Sequence, residues 1–142
     1  MTTKSSGFSL IELLVVVAII GILSAVGVYS YNEYIDGTKK KSAENMMMQL
    51  GLGQTEQYSN FGSYFSNTGA SSDDCEPSRE TSEEFGDTVF DNENYIDEEI
   101  GYEFCSYETT AGYEIIAIRG NCKLTLDETG AITDHGCEET TE

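Results

Sequence analysis

The sequence predicts an α+β fold in which a long N-terminal helix precedes a small antiparallel sheet. Three observations support this prediction. The segment from Phe8 to Val28 is apolar and carries a single charged residue. No proline interrupts the chain from there to about Asn60, so that one helix can continue. Short runs rich in aromatic and β-branched residues follow in the second half, and such runs are typical of strands.

The apolar segment is long enough to cross a membrane, because a helix over residues 8–28 spans ~30 Å. Its one charged residue is Glu12. A carboxylate within lipid costs about 2.5–3.5 kcal/mol even on insertion scales, so it requires a partner. Lys4 is the only cationic side chain before it, and residues 13–31 are uncharged. Cleavage after Gly7 would supply a cation, since the new amine of Phe8 lies four residues before Glu12.

The run Gly7-Phe8-Ser9-Leu10-Ile11-Glu12-Leu13-Leu14-Val15 resembles the cleavage and methylation signal of type IV pilins and their pseudopilin relatives. The resemblance implies cleavage between Gly7 and Phe8 by a prepilin peptidase and N-methylation of Phe8. It also implies that the apolar helix packs into the core of a filament. Because a carboxylate buried there needs a cationic neighbour, we expect Glu12 to be required for assembly. Two other interpretations are open: a signal peptide cleaved near Ser24-Ala25, and a plain membrane anchor.

The helix is expected to continue from Tyr29 to about Asn60 and to carry the head on one face. The predicted face is the apolar stripe Tyr31, Ile35, Thr38, Ser42, Met46, Gln49 or Leu50, and Gly53. Gly62 is a plausible end signal. Pilins usually have a proline after the apolar run, but this chain has Tyr29 there. A proline kink is therefore not expected, although Gly21 and Gly27 would permit a soft point.

The run Lys39, Lys40 and Lys41 is the only basic cluster. Two interpretations are equally supported. The lysines form a solvated helix face near anionic lipid headgroups, or they contact acidic neighbouring subunits.

The second half of the chain is predicted to form a meander of strands. Residues 66–94 contain many small polar and acidic residues and Pro77, which predicts a long loop. Strands are predicted at Gly101–Glu108, Gly112–Arg119 and Cys122–Asp127, with a further short run at Ala131–Thr133. In the third strand Leu124 and Leu126 alternate with polar residues, so one face should be buried. The aromatic cluster around Tyr58 and the block from Cys122 to Gly130 also resemble type IVa-like pilins of Gram-negative twitching pili.

Four cysteines in an exported domain predict two disulfides, for which three connectivities are possible. We favour Cys122 with Cys137, which closes the C-terminal segment onto the sheet, and Cys75 with Cys105, which fixes the long loop. The alternative is a zinc site that includes His135 and Cys137, but the chain has no C-x-x-C motif.

The composition argues against nucleic-acid binding and against catalysis. The formal net charge is −19, and most of the acidic residues lie beyond residue 72. Such a surface repels phosphates. No nucleophile elbow, phosphate-binding loop or calcium loop is recognisable, so we expect no enzyme activity, no metal and no cofactor.

The pattern and the resemblance together predict the type IV pilin fold, with a leader peptide (1–7), a transmembrane and filament-core helix (8–28) and a head (29–142). They imply a structural pilus subunit that polymerises with itself. Its other partners would be the prepilin peptidase, which cleaves the leader, and the assembly machinery of the inner membrane. The expected location is the inner membrane first and the extracellular filament later. A pseudopilin of type II secretion and an anchored binding module that does not polymerise are the alternatives. The sequence does not separate motility, adhesion, DNA uptake and electron transfer.

Overall fold

The computed structural model describes residues 7–67 and 74–137, and it confirms the predicted α+β fold. The elements in chain order are α1 (Leu10–Phe61), α2 (Arg79–Phe90), a 3-10 turn (Glu98–Ile100), β1 (Glu103–Glu108), β2 (Tyr113–Arg119), β3 (Cys122–Asp127) and β4 (Ile132–His135). The chain forms two compact units, Met1–Asp36 and Gly37–Glu142. Residues 1–6 of the predicted leader, residues 68–73 of the predicted loop and residues 138–142 lie outside the described residues.

The sheet is an antiparallel meander of order β1-β2-β3-β4, as predicted. β2 and β3 are joined by the two-residue turn Gly120-Asn121, which brings Arg119 opposite Cys122. Gly120 has φ of 58°, a conformation that glycine adopts without steric cost. The predicted burial of one face of β3 is confirmed, because Leu124 and Leu126 are fully buried.

The core of the second unit lies between one face of the sheet and one stripe of α1. The stripe consists of Ala43, Met47, Leu50, Gly51, Gly53 and Gln54. The predicted stripe is confirmed at Leu50 and Gly53. It was wrong by about one position before them, because Ser42 and Met46 are only half-buried and Gln49 is exposed. The error arose because apolar Met46, Met47 and Met48 are adjacent, and composition alone does not show which of the three faces the sheet.

Two glycines of α1 allow this close packing. A Cβ at Gly51 would lie 2.9 Å from the Tyr113 hydroxyl, and a Cβ at Gly53 would lie 2.6 Å from Val89 Cγ1. The Tyr113 hydroxyl donates a hydrogen bond to the Gly51 carbonyl at 3.2 Å. These glycines are therefore contact positions, not only soft points in the helix.

The prediction of one long loop over residues 66–94 was wrong, because it contains α2. Ser78 caps this helix: its hydroxyl accepts from Thr81 N at 3.2 Å, and Thr81 Oγ1 accepts from Ser78 N at 2.8 Å. Phe85 is fully buried against the core. The spacing Ser78-x-x-Thr81 and the apolar pair Phe85 and Val89 were available in the sequence as helix signals. The acidic composition of the segment obscured them.

Side chains close the outer edge of β1. The Phe104 N–H donates to Ser82 Oγ at 2.8 Å, and Thr81 Oγ1 donates to the Phe104 carbonyl at 2.7 Å. Two residues further, the Ser106 N–H donates to Asn67 Oδ1 at 2.8 Å and the Ser106 carbonyl accepts from Asn67 N at 2.9 Å. An open edge strand invites pairing with other chains, so these contacts remove one route to aggregation.

Candidate processing and assembly segment

The residues at the predicted cleavage site precede α1. Gly7, Phe8 and Ser9 are not helical, and α1 begins at Leu10. The Phe8 side chain is 84% exposed. Among the described atoms, none outside the immediate chain neighbours lies within 4 Å of a Cβ built at Gly7. The backbone between Gly7 and Phe8 is therefore accessible in this structure.

Glu12 has a partner within its own chain. The Ser9 N–H donates to Glu12 Oε2 at 2.9 Å, and the Glu12 N–H donates to Ser9 Oγ at 3.3 Å. This reciprocal pair is a capping box, in which the first turn of the helix satisfies its own free N–H groups. Lys4 is the only cationic side chain before Glu12 in the sequence, and this neutral partner was overlooked. The signal was the spacing Ser9-x-x-Glu12.

The apolar half of α1 is exposed along its whole length in this structure. Every residue from Leu10 to Val28 is exposed, including Leu10 at 77% and Ile22 at 68%. Measured by length and composition, α1 contains a stretch apolar enough to cross a membrane, and that stretch is not buried within the protein. A surface of this kind requires lipid or other apolar chains around it.

Lys40 is in contact with the sheet. Its Nζ lies 2.8 Å from Asp134 Oδ2 on β4, and only 14% of the lysine side chain is exposed. The hydrogen bond from Lys40 holds the pKa of the Asp134 carboxyl below its ordinary value, with a further contribution from the positive charge itself. Neither sequence interpretation of Lys40 anticipated this intramolecular contact, because it joins residues that are 94 positions apart.

The other two lysines of the cluster differ from Lys40. Lys41 is largely exposed and pairs with Glu44 at 2.7 Å, one turn further along the helix. Lys39 Nζ lies 3.3 Å from where a Cβ of Gly101 would be, beside the Arg119 side chain. The three lysines therefore point in different directions. Contact of Lys39 or Lys41 with another subunit stays a prediction.

The structure contains both favoured disulfides, Cys75 with Cys105 and Cys122 with Cys137. Cys75 and Cys105 are buried with Tyr107 and Ile116 on the second face of the sheet. The zinc alternative fails, because the Cys137 sulfur is bonded to Cys122. Across residues 7–67 and 74–137, no three side chains of His, Cys, Asp or Glu are grouped so as to hold a metal ion.

Comparison with known proteins finds sequence similarity in the N-terminal segment that contains Gly7, Phe8 and Glu12. A family model described as the prokaryotic N-terminal methylation motif matches residues 2–28. A type IV major fimbrial protein FimA of Dichelobacter nodosus is 46% identical over 52 residues, which are 37% of this chain and 31% of that protein. The chain is thus similar to type IV fimbrial proteins over its N-terminal part, and its long apolar helix, antiparallel sheet and two disulfides match the type IV pilin fold.

Other fimbrial proteins are similar to this chain at comparable levels of identity. A second Dichelobacter nodosus sequence, described as a fimbrial protein, has the same identity and coverage as the first. A FimA from strain VCS1703A of that species is 43% identical over 58 residues, covering 32% of this chain and 36% of the relative. The match thus spans about a third of the length of these relatives. No solved structure matches the chain significantly.

Proposed function

We propose that this protein is a pilin, a structural subunit of a type IV pilus, which polymerises through α1 after cleavage between Gly7 and Phe8. The single observation that carries the proposal is Glu12, the only charged residue between Phe8 and Val28, within a matched methylation motif. The names of the related fimbrial proteins support the same role. N-methylation of Phe8 and processing by a prepilin peptidase belong to the proposal.

The proposed mechanism follows from the charges at the start of the helix. Before cleavage, the capping box satisfies Glu12 while residues 8–28 lie in the inner membrane. Cleavage creates a cationic amine on Phe8. In a filament, apolar contacts between helices replace lipid contacts, and each buried carboxylate pairs with an amine in a medium of low dielectric constant. The subunit then leaves the membrane and becomes part of an extracellular filament, with copies of itself and the assembly machinery as its partners.

The first test concerns cleavage. A prepilin peptidase must bring its catalytic groups close to the backbone at Gly7, and a side chain there would obstruct the approach. We expect a bulky substitution such as Gly7→Phe to leave the full-length chain in the membrane. A mass spectrum of the wild-type protein should show a mature chain that begins with methylated Phe8. A mature N-terminus near Val26 would instead indicate an ordinary signal peptide.

The second test separates the charge of Glu12 from its capping role. Glu12→Val should be cleaved normally yet give few or no filaments, since each Phe8 amine then lacks a partner. Glu12→Gln is the matched variant: an amide oxygen still accepts the Ser9 N–H, but the charge is absent. Ser9→Ala keeps the charge and removes the hydroxyl of the box, which should cost helix stability of about 1 kcal/mol and leave filaments present.

Counting surface filaments by electron microscopy with an antibody against the head decides between these outcomes. Abundant filaments from Glu12→Gln would exclude the pairing mechanism. Cleaved wild-type protein without any filament would favour an anchored binding module. Filaments that form only when a secretion system is overproduced would favour a pseudopilin.

A further inference from the structure

Three exposed tyrosines follow the apolar segment of α1. Tyr29, Tyr31 and Tyr34 have 66%, 63% and 70% of their surface exposed. They come immediately after Val28, and the first charged residue beyond the segment, Glu33, lies among them. The three side chains therefore mark the position at which the helix changes from apolar to polar.

The tyrosines do not share one face of the helix. Successive helical residues are rotated by about 100°, so Tyr31 and Tyr34 lie on one side and Tyr29 lies about 160° away from Tyr31. A protein-docking stripe would repeat at steps of three or four residues along one side. An arrangement around the circumference instead fits a medium that surrounds the helix.

The axial spacing fits the interfacial layer of a bilayer. Tyr29 and Tyr34 are five residues apart, or about 7.5 Å along the axis. Each polar layer of a bilayer is about 5–8 Å thick, on the basis of a ~30 Å hydrocarbon core and a total of ~40–45 Å. Tyrosine is enriched in this layer because its ring is apolar and its hydroxyl is polar. Glu33 lies between Tyr31 and Tyr34, and its carboxylate requires polar surroundings at the same level of the helix.

We propose that Tyr29, Tyr31 and Tyr34 form a tyrosine collar that binds the phospholipid headgroup layer on the outer side of the membrane and fixes the depth of α1 before assembly. The inference rests on the membrane-spanning step of the proposed function. Leu10, the first residue of α1, and Tyr29 are 19 residues apart, which corresponds to about 28 Å along the helix. A collar held in the outer headgroup layer therefore keeps the bond between Gly7 and Phe8 at the opposite boundary.

The test uses the fact that the chain contains no tryptophan. Tyr29→Trp, Tyr31→Trp and Tyr34→Trp each introduce one fluorescent reporter into the full chain, reconstituted in vesicles of phosphatidylethanolamine and phosphatidylglycerol. Bromine atoms near the headgroup or deep in the acyl chains quench tryptophan at the corresponding depth. We expect all three reporters to have blue-shifted emission and to be quenched more strongly by the shallow bromines than by the deep ones.

Two control variants separate failure of the collar from failure of the proposed function. Val17→Trp, in the middle of the apolar segment, should be quenched most by the deep bromines, and Tyr58→Trp, in the head, by neither. Quenching at Tyr31 and Tyr34 but not at Tyr29 would overturn the collar in favour of a one-sided contact. A deep Val17 reporter with all three tyrosine positions in water would overturn the collar alone. A Val17 reporter in water would overturn the membrane-spanning step itself.

Discussion

The buried side chain of Gln54 offers the sharpest test of how the head is held on α1. Gln54 is fully buried, and its amide bonds to three groups outside the helix. Nε2 donates to the Phe65 carbonyl at 2.9 Å and to Ser106 Oγ at 2.7 Å. Oε1 accepts from the Phe65 N–H at 2.7 Å. One side chain thus joins α1, the segment after it and strand β1.

The loss of stability expected for Gln54→Leu depends on which hydrogen bonds the partners of Gln54 retain. Ser106 Oγ still lies 3.4 Å from the Phe65 carbonyl, so this acceptor retains a donor. The Phe65 N–H loses its partner in a buried site. An unpaired buried donor costs about 1–3 kcal/mol, and the two other lost bonds add ~1 kcal/mol each at most. We therefore expect the free energy of unfolding to fall by about 2–4 kcal/mol, which is large for one side chain.

The stability of a Gln54→Glu variant should depend on pH. The carboxylate keeps an acceptor for Phe65 N–H but has no donor for the Phe65 carbonyl, and burial raises the pKa of such a group. Protonation restores a donor. Because the folded-state pKa is raised, the variant should be most stable below the ordinary glutamate pKa near ~4.3 and lose stability as the pH rises through the folded value.

Urea unfolding of the detergent-solubilised full chain, followed by near-ultraviolet circular dichroism, measures both effects. The matched control is Gln57, which lies three residues later and is half-buried. Gln57→Leu and Gln57→Glu should change the free energy of unfolding by less than about 1 kcal/mol. Equal losses at positions 54 and 57, or a Gln54→Glu variant that weakens as the pH falls, would refute this account of the hydrogen bonds.

Three further results are expected. Cys122→Ser should lower the free energy of unfolding by ~2–5 kcal/mol. In the wild-type protein, mass spectrometry after mild reduction should show the half-buried Cys122–Cys137 bond opening before the buried Cys75–Cys105 bond. Asp134 has a lowered pKa, so the contact with Lys40 should stabilise the head fully above the ordinary aspartate pKa of 3.8 and less as the pH falls through the folded value. That acid-dependent loss should be absent in Asp134→Asn, and an unchanged profile would contradict the contact. Purified filaments should tolerate added salt, because screening weakens the repulsion between acidic heads, and dissociation on adding salt would contradict this.

Much of the fold could be predicted because local signals were strong. The strand boundaries agree with the alternation of Leu124 and Leu126 with polar residues, and Gly62 at φ of 76° follows the last helical residue as expected. α2 was missed for the opposite reason. Only Ser82, Phe85 and Gly86 of this helix are buried, so its apolar signal is short.

The candidate site shows where sequence reasoning stops. Gly7, Phe8 and Glu12 are recognisable because their signal is local, and so was the Ser9 cap that we overlooked. The partner of Lys40 was not recognisable. Asp134 is one of 26 acidic residues, and only the register of β4 on β3 brings it to this lysine. Contacts between distant charged residues depend on topology, which composition and periodicity do not specify.

Several Lys and Arg side chains pair with carboxylates of their own chain, and this limits which interactions could hold the proposed filament together. Within the part of the chain that the structure describes, Lys40 and Lys41 pair with carboxylates of their own chain, and Arg79 bonds to Glu83 and Glu98. The sequence has 26 acidic residues against seven Lys and Arg, so acids outnumber cations, and in the proposed filament neighbouring subunits with a formal charge of −19 would repel. Attraction between charged heads is then a poor source of assembly energy. In the proposed filament, the apolar surface of residues 8–28 and the pairing of Glu12 with a Phe8 amine would supply this energy, which is why loss of that one carboxylate should matter more than loss of any acid on the head.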